Sequence, residues 1–327
     1  MRSIYICEQG AKVSVDGGRL VVTPVDADDN YFHLFKIDSI LAFGNINFTT
    51  PAINTLLYHK ISTTFFSING NCKGMIAPVK SKNIYLRISQ FKLLSDKSFC
   101  LQQARQIVMA KINNQISVLR KYAYNHPDIS LQEHISSLLS NYQKTSRSQT
   151  ISSLMGIEGI STRAYFRGFS KMFRSEIKFE KRKKYPSIDP ANALLSFGYV
   201  LLANEICGYL ETIGFDPYFG FYHQPRYGRL SLALDLIEPF RQPVIDRFVL
   251  LLANKQIISE DDFTNTDSGL RLKNKPLKNY LKHYEKWLNR PIKNNPDNSF
   301  RKIVFKHCNA FQKAIKDKNI YVPFIFK

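Results

Sequence analysis

Near residue 82 the spacing of the apolar residues changes from about two to about 3.6, which divides the chain into two kinds of structure. Before that point the runs are short, β-branched or aromatic: Ser3-Ile4-Tyr5-Ile6-Cys7, Lys12-Val13-Ser14-Val15, Leu20-Val21-Val22-Thr23 and Tyr31-Phe32-His33-Leu34-Phe35. Gly17-Gly18 and the polar stretch Asp26-Ala27-Asp28-Asp29-Asn30 separate them, so they read as strands and turns. Asn69-Gly70, between Phe65-Phe66-Ser67-Ile68 and Lys73-Gly74-Met75-Ile76, predicts a hairpin. One helix is expected from Thr50 to His59, with Thr50 as N-cap and Pro51 in the first turn.

After residue 82, Ile84, Leu86, Ile88, Phe91, Leu93-Leu94, Ile107, Ile112, Ile116 and Leu119 recur at helical spacing. Further helices are expected at about 130–140, 147–175, 189–213, 230–240, 243–255 and 299–317. Residues 255–296 read as a polar excursion with one helix near Leu277–Trp287, in which Trp287 is a packing anchor. The predicted class is α+β: a small N-terminal β-rich domain, 1–81, followed by a larger all-α catalytic domain, 82–327.

With 327 residues, 44% of them hydrophobic, the chain can bury two cores. Its charge is unusual, since 46 Lys and Arg against 26 Asp and Glu leave +20 at neutral pH. Such a balance calls for a polyanionic partner, either nucleic acid or a membrane surface. Glu8 interrupts the first residues before a signal sequence can form. The apolar stretch Phe197–Leu210 contains Asn204 and Glu205 and falls short of the roughly 20 residues of a spanning helix. A cytoplasmic protein that binds nucleic acid and no membrane is therefore expected. The five cysteines are scattered without a CxxC pair, which disfavours a disulfide framework and a structural zinc site.

In His223-Gln-Pro-Arg-Tyr-Gly-Arg-Leu-Ser-Leu-Ala-Leu-Asp235-Leu-Ile-Glu238, two acids stand three apart in an apolar run downstream of an imidazole. On a helix those acids share a face, and burying either without a partner is costly. A third acid, Glu158, lies between Gly156 and Gly159, a composition suited to close approach of another group to the backbone. One histidine with two or three carboxylates is a donor set for Mg²⁺ or Mn²⁺ and for phosphoryl transfer. Spacing alone also permits ion pairs with Arg226, Arg229 and Arg241.

Three ordered motifs carry a resemblance. They are Leu154-Met155-Gly156-Ile157-Glu158-Gly159 with Tyr165 and Phe166, Asp189-Pro190-Ala191-Asn192-Ala193-Leu194-Leu195-Ser196-Phe197-Gly198-Tyr199, and His223 through Glu238-Pro239-Phe240-Arg241 to Pro243 and Asp246. With the β-first, helix-second layout, the chain resembles the CRISPR-associated protein one family of spacer-capturing integrases over its whole length. The resemblance implies a metal-dependent DNA endonuclease and integrase that inserts short foreign fragments into a CRISPR array. In that reaction a 3′-hydroxyl attacks a phosphodiester. It places Glu158, His223 and Glu238 as catalytic residues and metal ligands, with Asp235 and Asn192 in support. It also implies double-stranded and partly single-stranded DNA as substrate, a homodimer formed through the β-rich domain, and a bridging dimer of CRISPR-associated protein two. The alternatives are a mobile-element integrase of the same fold and a non-catalytic DNA-binding scaffold whose acids are paired with Arg226 and Arg241.

For contact with DNA phosphates the candidates are Lys181, Arg182, Lys183 and Lys184 in a basic run with interleaved phenylalanines, and Arg163, Arg167, Arg226 and Arg229. A solvated helix face is the competing reading of such a run. The apolar tail Tyr321–Phe326 is expected to dock.

Overall fold

The computed structural model describes residues 3–68, 70–77, 83–183, 186–267, 269–292 and 295–327. They form two compact units, Met1–Lys80 with Leu272–Lys302, and Ser81–Arg271 with Ile303–Lys327. The class is the expected α+β, with the β-rich part first.

In the first unit, strands β1 (Ser3–Ile6), β2 (Lys12–Asp16), β3 (Arg19–Thr23) and β4 (Asn30–His33) fall where the period-two runs lie. They are followed by β5 (Ser39–Phe43), β6 (Asn47–Phe48), α1 (Thr50–Tyr58), β7 (Ser62–Phe66) and β8 (Cys72–Ile76). Two four-stranded sheets result, ordered β1-β5-β7-β8 and β4-β3-β2-β6. Gly17 and Gly18 join β2 to β3 with φ of 52° and 75°, the left-handed conformations that a two-residue hairpin turn requires. Strands β7 and β8 pair antiparallel as the expected hairpin, although Asn69 lies outside the described residues. Thr49, not Thr50, caps α1: its hydroxyl accepts from the Ala52 N–H at 3.3 Å, which shifts the expected start by one residue. Ile4, Ile6, Val13, Leu20, Val22, Ile40 and Leu56 build the core.

A single boundary near 81 does not describe the division, because residues 272–302 belong to the first unit. There α9 (Asn274–Asn289) buries Leu277, Tyr280, Leu281, Tyr284, Trp287 and Leu288. Trp287 is thus the anchor its sequence context suggests. Glu285 accepts hydrogen bonds from the Tyr5 hydroxyl at 3.0 Å and from Arg301 at 2.7 Å. Lysines and asparagines dilute the apolar stripe of this helix, so the composition of 255–296 reads as an excursion while the packing makes it a return. Strands β11 (Pro291–Ile292) and β12 (Asn295–Ser299) follow it.

The second unit is helical: α2 (Ile84–Leu94), α3 (Lys97–Asn125), α4 (Gln132–Ser146), α5 (Ile151–Ser170), α6 (Pro190–Ile213), α7 (Ser231–Ile237), α8 (Arg247–Asn254) and, from Ile303 on, α10 (Phe300–Lys316), with most of a small hairpin β9 (Phe263–Thr266)–β10 (Gly269–Leu272). Helix α6 is long and apolar enough by length and composition to cross a membrane, longer than the stretch read from sequence, and over half of its most apolar window is buried within the structure. Two of its polar residues are satisfied along the helix itself: Asn204 donates to the Val200 carbonyl and Tyr209 to Glu205, both at 2.8 Å.

Helix α3 buries residues on nearly every face, including Gln103, Lys111, Asn114 and Gln115, so each of these polar groups needs a partner. Asn114 donates to the carbonyls of Pro239 at 2.6 Å and Phe324 at 2.9 Å and accepts from Phe326 N–H at 2.8 Å. It thereby ties the docked C-terminal tail to the turn that follows α7. In that turn a 3₁₀ segment, Glu238–Phe240, runs into a π-helical one, Arg241–Asp246. Pro239 and Pro243 lack the N–H that a regular helix would use, and the widened ladder accommodates their rings.

Candidate active site

His223 stands on the irregular segment between α6 and α7, and Asp235, on α7, holds it there. Asp235 is fully buried. Its Oδ2 accepts from the backbone N–H groups of Phe221 at 2.6 Å and Tyr222 at 2.9 Å; its Oδ1 accepts from His223 N–H at 2.8 Å and lies 2.8 Å from His223 Nδ1. A side-chain methyl at Gly220 would come within 2.8 Å of Asp235 Oδ2 and of the Ser231 backbone, so only glycine admits this closure. Facing a carboxylate, Nδ1 is the ring nitrogen that carries a proton, so in a neutral imidazole Nε2 is the one left to accept. Carboxylates beside metal-binding histidines orient the ring in the same way.

Glu158 on α5 and Glu238 at the end of α7 converge on Lys111 of α3. The Lys111 ammonium donates to Glu158 Oε1 and lies 2.5 Å from Glu238 Oε2. Thr162, one turn after Glu158, donates to the same Oε1 at 2.9 Å, and Arg241 Nε donates to Glu238 Oε1 at 3.0 Å. Burial pushes the Glu238 carboxyl up, but Arg241, Lys111 and His223 outweigh it and hold its pKa at about 2. Burial likewise opposes ionisation of Glu158, and Lys111 overcomes it, leaving that pKa below its ordinary value. Both carboxylates are therefore anionic at neutral pH.

Among the described residues no three His, Cys, Asp or Glu side chains close on one point as a ready-made metal cluster. The structure brings Glu158 and Glu238 together on a positive charge and aligns His223 through Asp235. The donor set, two anionic carboxylates from different elements and one imidazole nitrogen, fits a hard or borderline divalent cation. The ion pair weighed from sequence as the competing reading is present for Arg241, whereas Arg226 is exposed.

Asn192 does not reach this cluster; it organises the basic run. Its amide donates to the Lys181 carbonyl at 2.8 Å, and its Oδ1 accepts from Lys183 N–H at 3.0 Å and from Arg182 at 2.7 Å. Arg182 also donates to Ser196 at 2.9 Å and lies 5.4 Å from the centre of the Tyr199 ring. Arg182 is half-buried and fastened by these contacts, whereas a phosphate contact was expected of it. A run of four cations looks uniform in sequence, but only tertiary packing ties Arg182 to Asn192 and Ser196. Lys181 is exposed, Lys183 half-buried, and Lys184 outside the described residues. Arg163, Arg167 and Arg226 are exposed and Arg229 half-buried, so these remain available to a polyanion. Lys111 was missed from sequence. Its one indication is its place in Ile107-Val108-Met109-Ala110-Lys111-Ile112, where a buried ammonium requires anionic partners.

The family model for CRISPR associated protein Cas1 matches residues 4–286. This chain belongs to that family. The match bears out the resemblance carried by the three motifs. The chain is 33% identical over 321 residues to a CRISPR-associated exonuclease Cas4/endonuclease Cas1 fusion of Geobacter sulfurreducens, covering 96% of this chain and 56% of the fusion. It thus spans little more than half the length of that relative. To a CRISPR-associated endonuclease Cas1 of Thermus thermophilus it is 32% identical over 291 residues, covering 88% of this chain and 85% of the relative. Its fold is similar to that of a casposase bound to integration product, with a TM-score of 0.88 at 24% identity, covering 100% of this chain and 95% of that one. It is also similar to a chain of a Cas6-RT-Cas1–Cas2 complex, with a TM-score of 0.84 at 24% identity, covering 100% of this chain and 36% of that one.

Proposed function

We propose that this chain is a divalent-cation-dependent DNA endonuclease and integrase that joins the 3′-hydroxyl of a short DNA fragment to a phosphodiester in a CRISPR array. The observation that carries this reading is the convergence of Glu158 and Glu238 on one positive charge, with His223, whose ring is fixed by Asp235, close enough to favour the ionised form of Glu238. The endonuclease names of the relatives and the integration product bound to the casposase support it.

Glu158, Glu238 and His223 Nε2 would hold Mg²⁺ or Mn²⁺, which when bound supplies a Lewis acid for the scissile phosphate and favours ionisation of an attacking oxygen. Asp235 keeps the imidazole in the tautomer that leaves Nε2 free, and Arg241 keeps Glu238 ionised. Arg163, Arg167 and Arg226, exposed on a chain of net charge +20, neutralise phosphates along the DNA. Side-chain methyls at Gly156 and Gly159 would meet nothing within 4 Å, which leaves open space beside Glu158 for a DNA backbone.

Joining on two strands needs two sites at a fixed separation, so a homodimer is part of the proposal. A bridging dimer of CRISPR-associated protein two and a cytoplasmic setting belong to it as well; the Cas1–Cas2 complex among the structural neighbours supports the partner. The test is a strand-joining assay with Mn²⁺ and the bridging partner. Wild type should join a labelled 3′-hydroxyl duplex to a repeat-bearing plasmid, and E158A, H223A and E238A should not. Unchanged joining by H223A or E238A would leave the scaffold reading standing. The casposase likeness favours one further reading, a mobile-element integrase, and equal joining to plasmids with and without a repeat array would select it.

A further inference from the structure

The Lys111 ammonium occupies the point at which the two acids of the proposed cation site meet. Its side chain is 7% accessible, that of Glu238 5% and that of Glu158 22%. Without a cation between them, the two carboxylates repel each other in a largely dry environment, where like charges are expensive. In the metal-free protein Lys111 removes that cost.

A divalent ion cannot take Glu158 Oε1 and Glu238 Oε2 while the ammonium holds the same two oxygens, because the two cations would compete for one space and repel. The neighbouring contacts differ in this respect. Arg241 binds the other oxygen of Glu238, Oε1, and can stay in place. Thr162 shares Glu158 Oε1 but brings no charge. Lysine has a flexible four-carbon stem and a single-point head, so it can withdraw where a planar, forked guanidinium could not.

We propose that Lys111 is the resident counter-cation of the Glu158–Glu238 pair, and that a divalent ion reaches these carboxylates only by displacing its ammonium, so that Lys111 sets how tightly the ion is held. This rests on reading the site as a divalent-cation centre. Its consequence is a protein that folds with its acids neutralised before any metal arrives and loads the ion weakly by itself.

The test is Mn²⁺ binding to the full chain without DNA, followed by the electron paramagnetic resonance signal of free Mn²⁺ and by thermal unfolding at rising Mn²⁺. K111Q is expected to bind Mn²⁺ about tenfold or more tightly than wild type, because no charge has to be displaced. Its melting temperature should start lower and rise further with Mn²⁺. K111R, which keeps the charge on a less yielding head, should bind no better than wild type. Equal or weaker binding by K111Q overturns the displacement while leaving the cation centre intact. Absence of Mn²⁺ binding in both proteins at millimolar concentration overturns the cation reading itself. Should K111Q be unfolded without metal, recovery of its circular dichroism on adding Mn²⁺ supports the proposal, and failure to recover overturns it.

Discussion

Asp235 Oδ1 takes both the backbone N–H and the ring Nδ1 of His223, each at 2.8 Å, so one carboxylate sets where that residue sits and which ring nitrogen is free. With Oδ2 it satisfies four N–H groups in all. An asparagine offers a single acceptor oxygen and presents N–H groups where acceptors are needed. D235N is expected to lose about 1–3 kcal/mol of stability and to drop strand joining about a hundredfold. Urea unfolding and the joining assay check the two effects separately, and H223A serves as the control that loses joining with little change in stability.

Gly156 and Gly159 lie within α5 with open space where a methyl would go. Alanine there should raise stability by about 0.5–1 kcal/mol per site, since glycine is the poorer helix former. If the DNA backbone passes over this face, the same substitutions lower joining despite the higher melting temperature. A stabilised G156A/G159A protein with full joining activity would show that DNA does not approach there.

Two neighbours in the basic run should behave in opposite ways. R182A removes bonds to Asn192 and Ser196 and a guanidinium packed on Tyr199, so a stability loss of about 1–3 kcal/mol is expected. The salt dependence of DNA binding should stay the same. K181E alters an exposed charge; its folding should be unaffected, and the slope of log affinity against log salt should flatten by about one. Salt titrations of both variants alongside their unfolding curves provide the comparison.

Between about pH 4.5 and 6, buried Asp246 and half-buried His307 of the second unit pull stability in opposite directions. Burial holds His307 down at about 4 against an ordinary 6.5, so on acidification the unfolded chain takes up its proton first and stability falls. Burial holds Asp246 up at about 6 against 3.8, so the folded chain takes up that proton first and stability rises. Each slope is at most about 1.4 kcal/mol per pH unit. H307N should therefore make the protein more stable as pH drops from 6 to 4.5, and D246N less. Melting temperatures across that interval read both signs.

Local rules account for what could be read ahead of the structure. Apolar residues two or 3.6 apart place strands and helices because each backbone conformation repeats within a few residues. Gly17-Gly18 marks a turn because glycine, lacking a Cβ, adopts positive φ angles without steric penalty. The motifs around Glu158, His223 and Glu238 could be read because their residues are close together within each segment. Where a side chain finds its partner is a different matter. Lys111 and Glu158 are 47 residues apart, and no spacing rule links a lysine on α3 to acids on α5 and just after α7. Asp235 and Glu238 look alike in sequence, yet packing buries one against three backbone N–H groups and turns the other to two cations. Arg182 is tied to Asn192 and Ser196 while Lys181 beside it is exposed, and residues 272–302 belong to the first unit although the chain has long since left it. Sequence alone determined the change from strands to helices and most of the elements, and its motifs singled out Glu158, His223 and Glu238 as candidates. Tertiary structure decided which charge faces which, because pairing energies depend on distances and desolvation that exist only once distant segments are packed together.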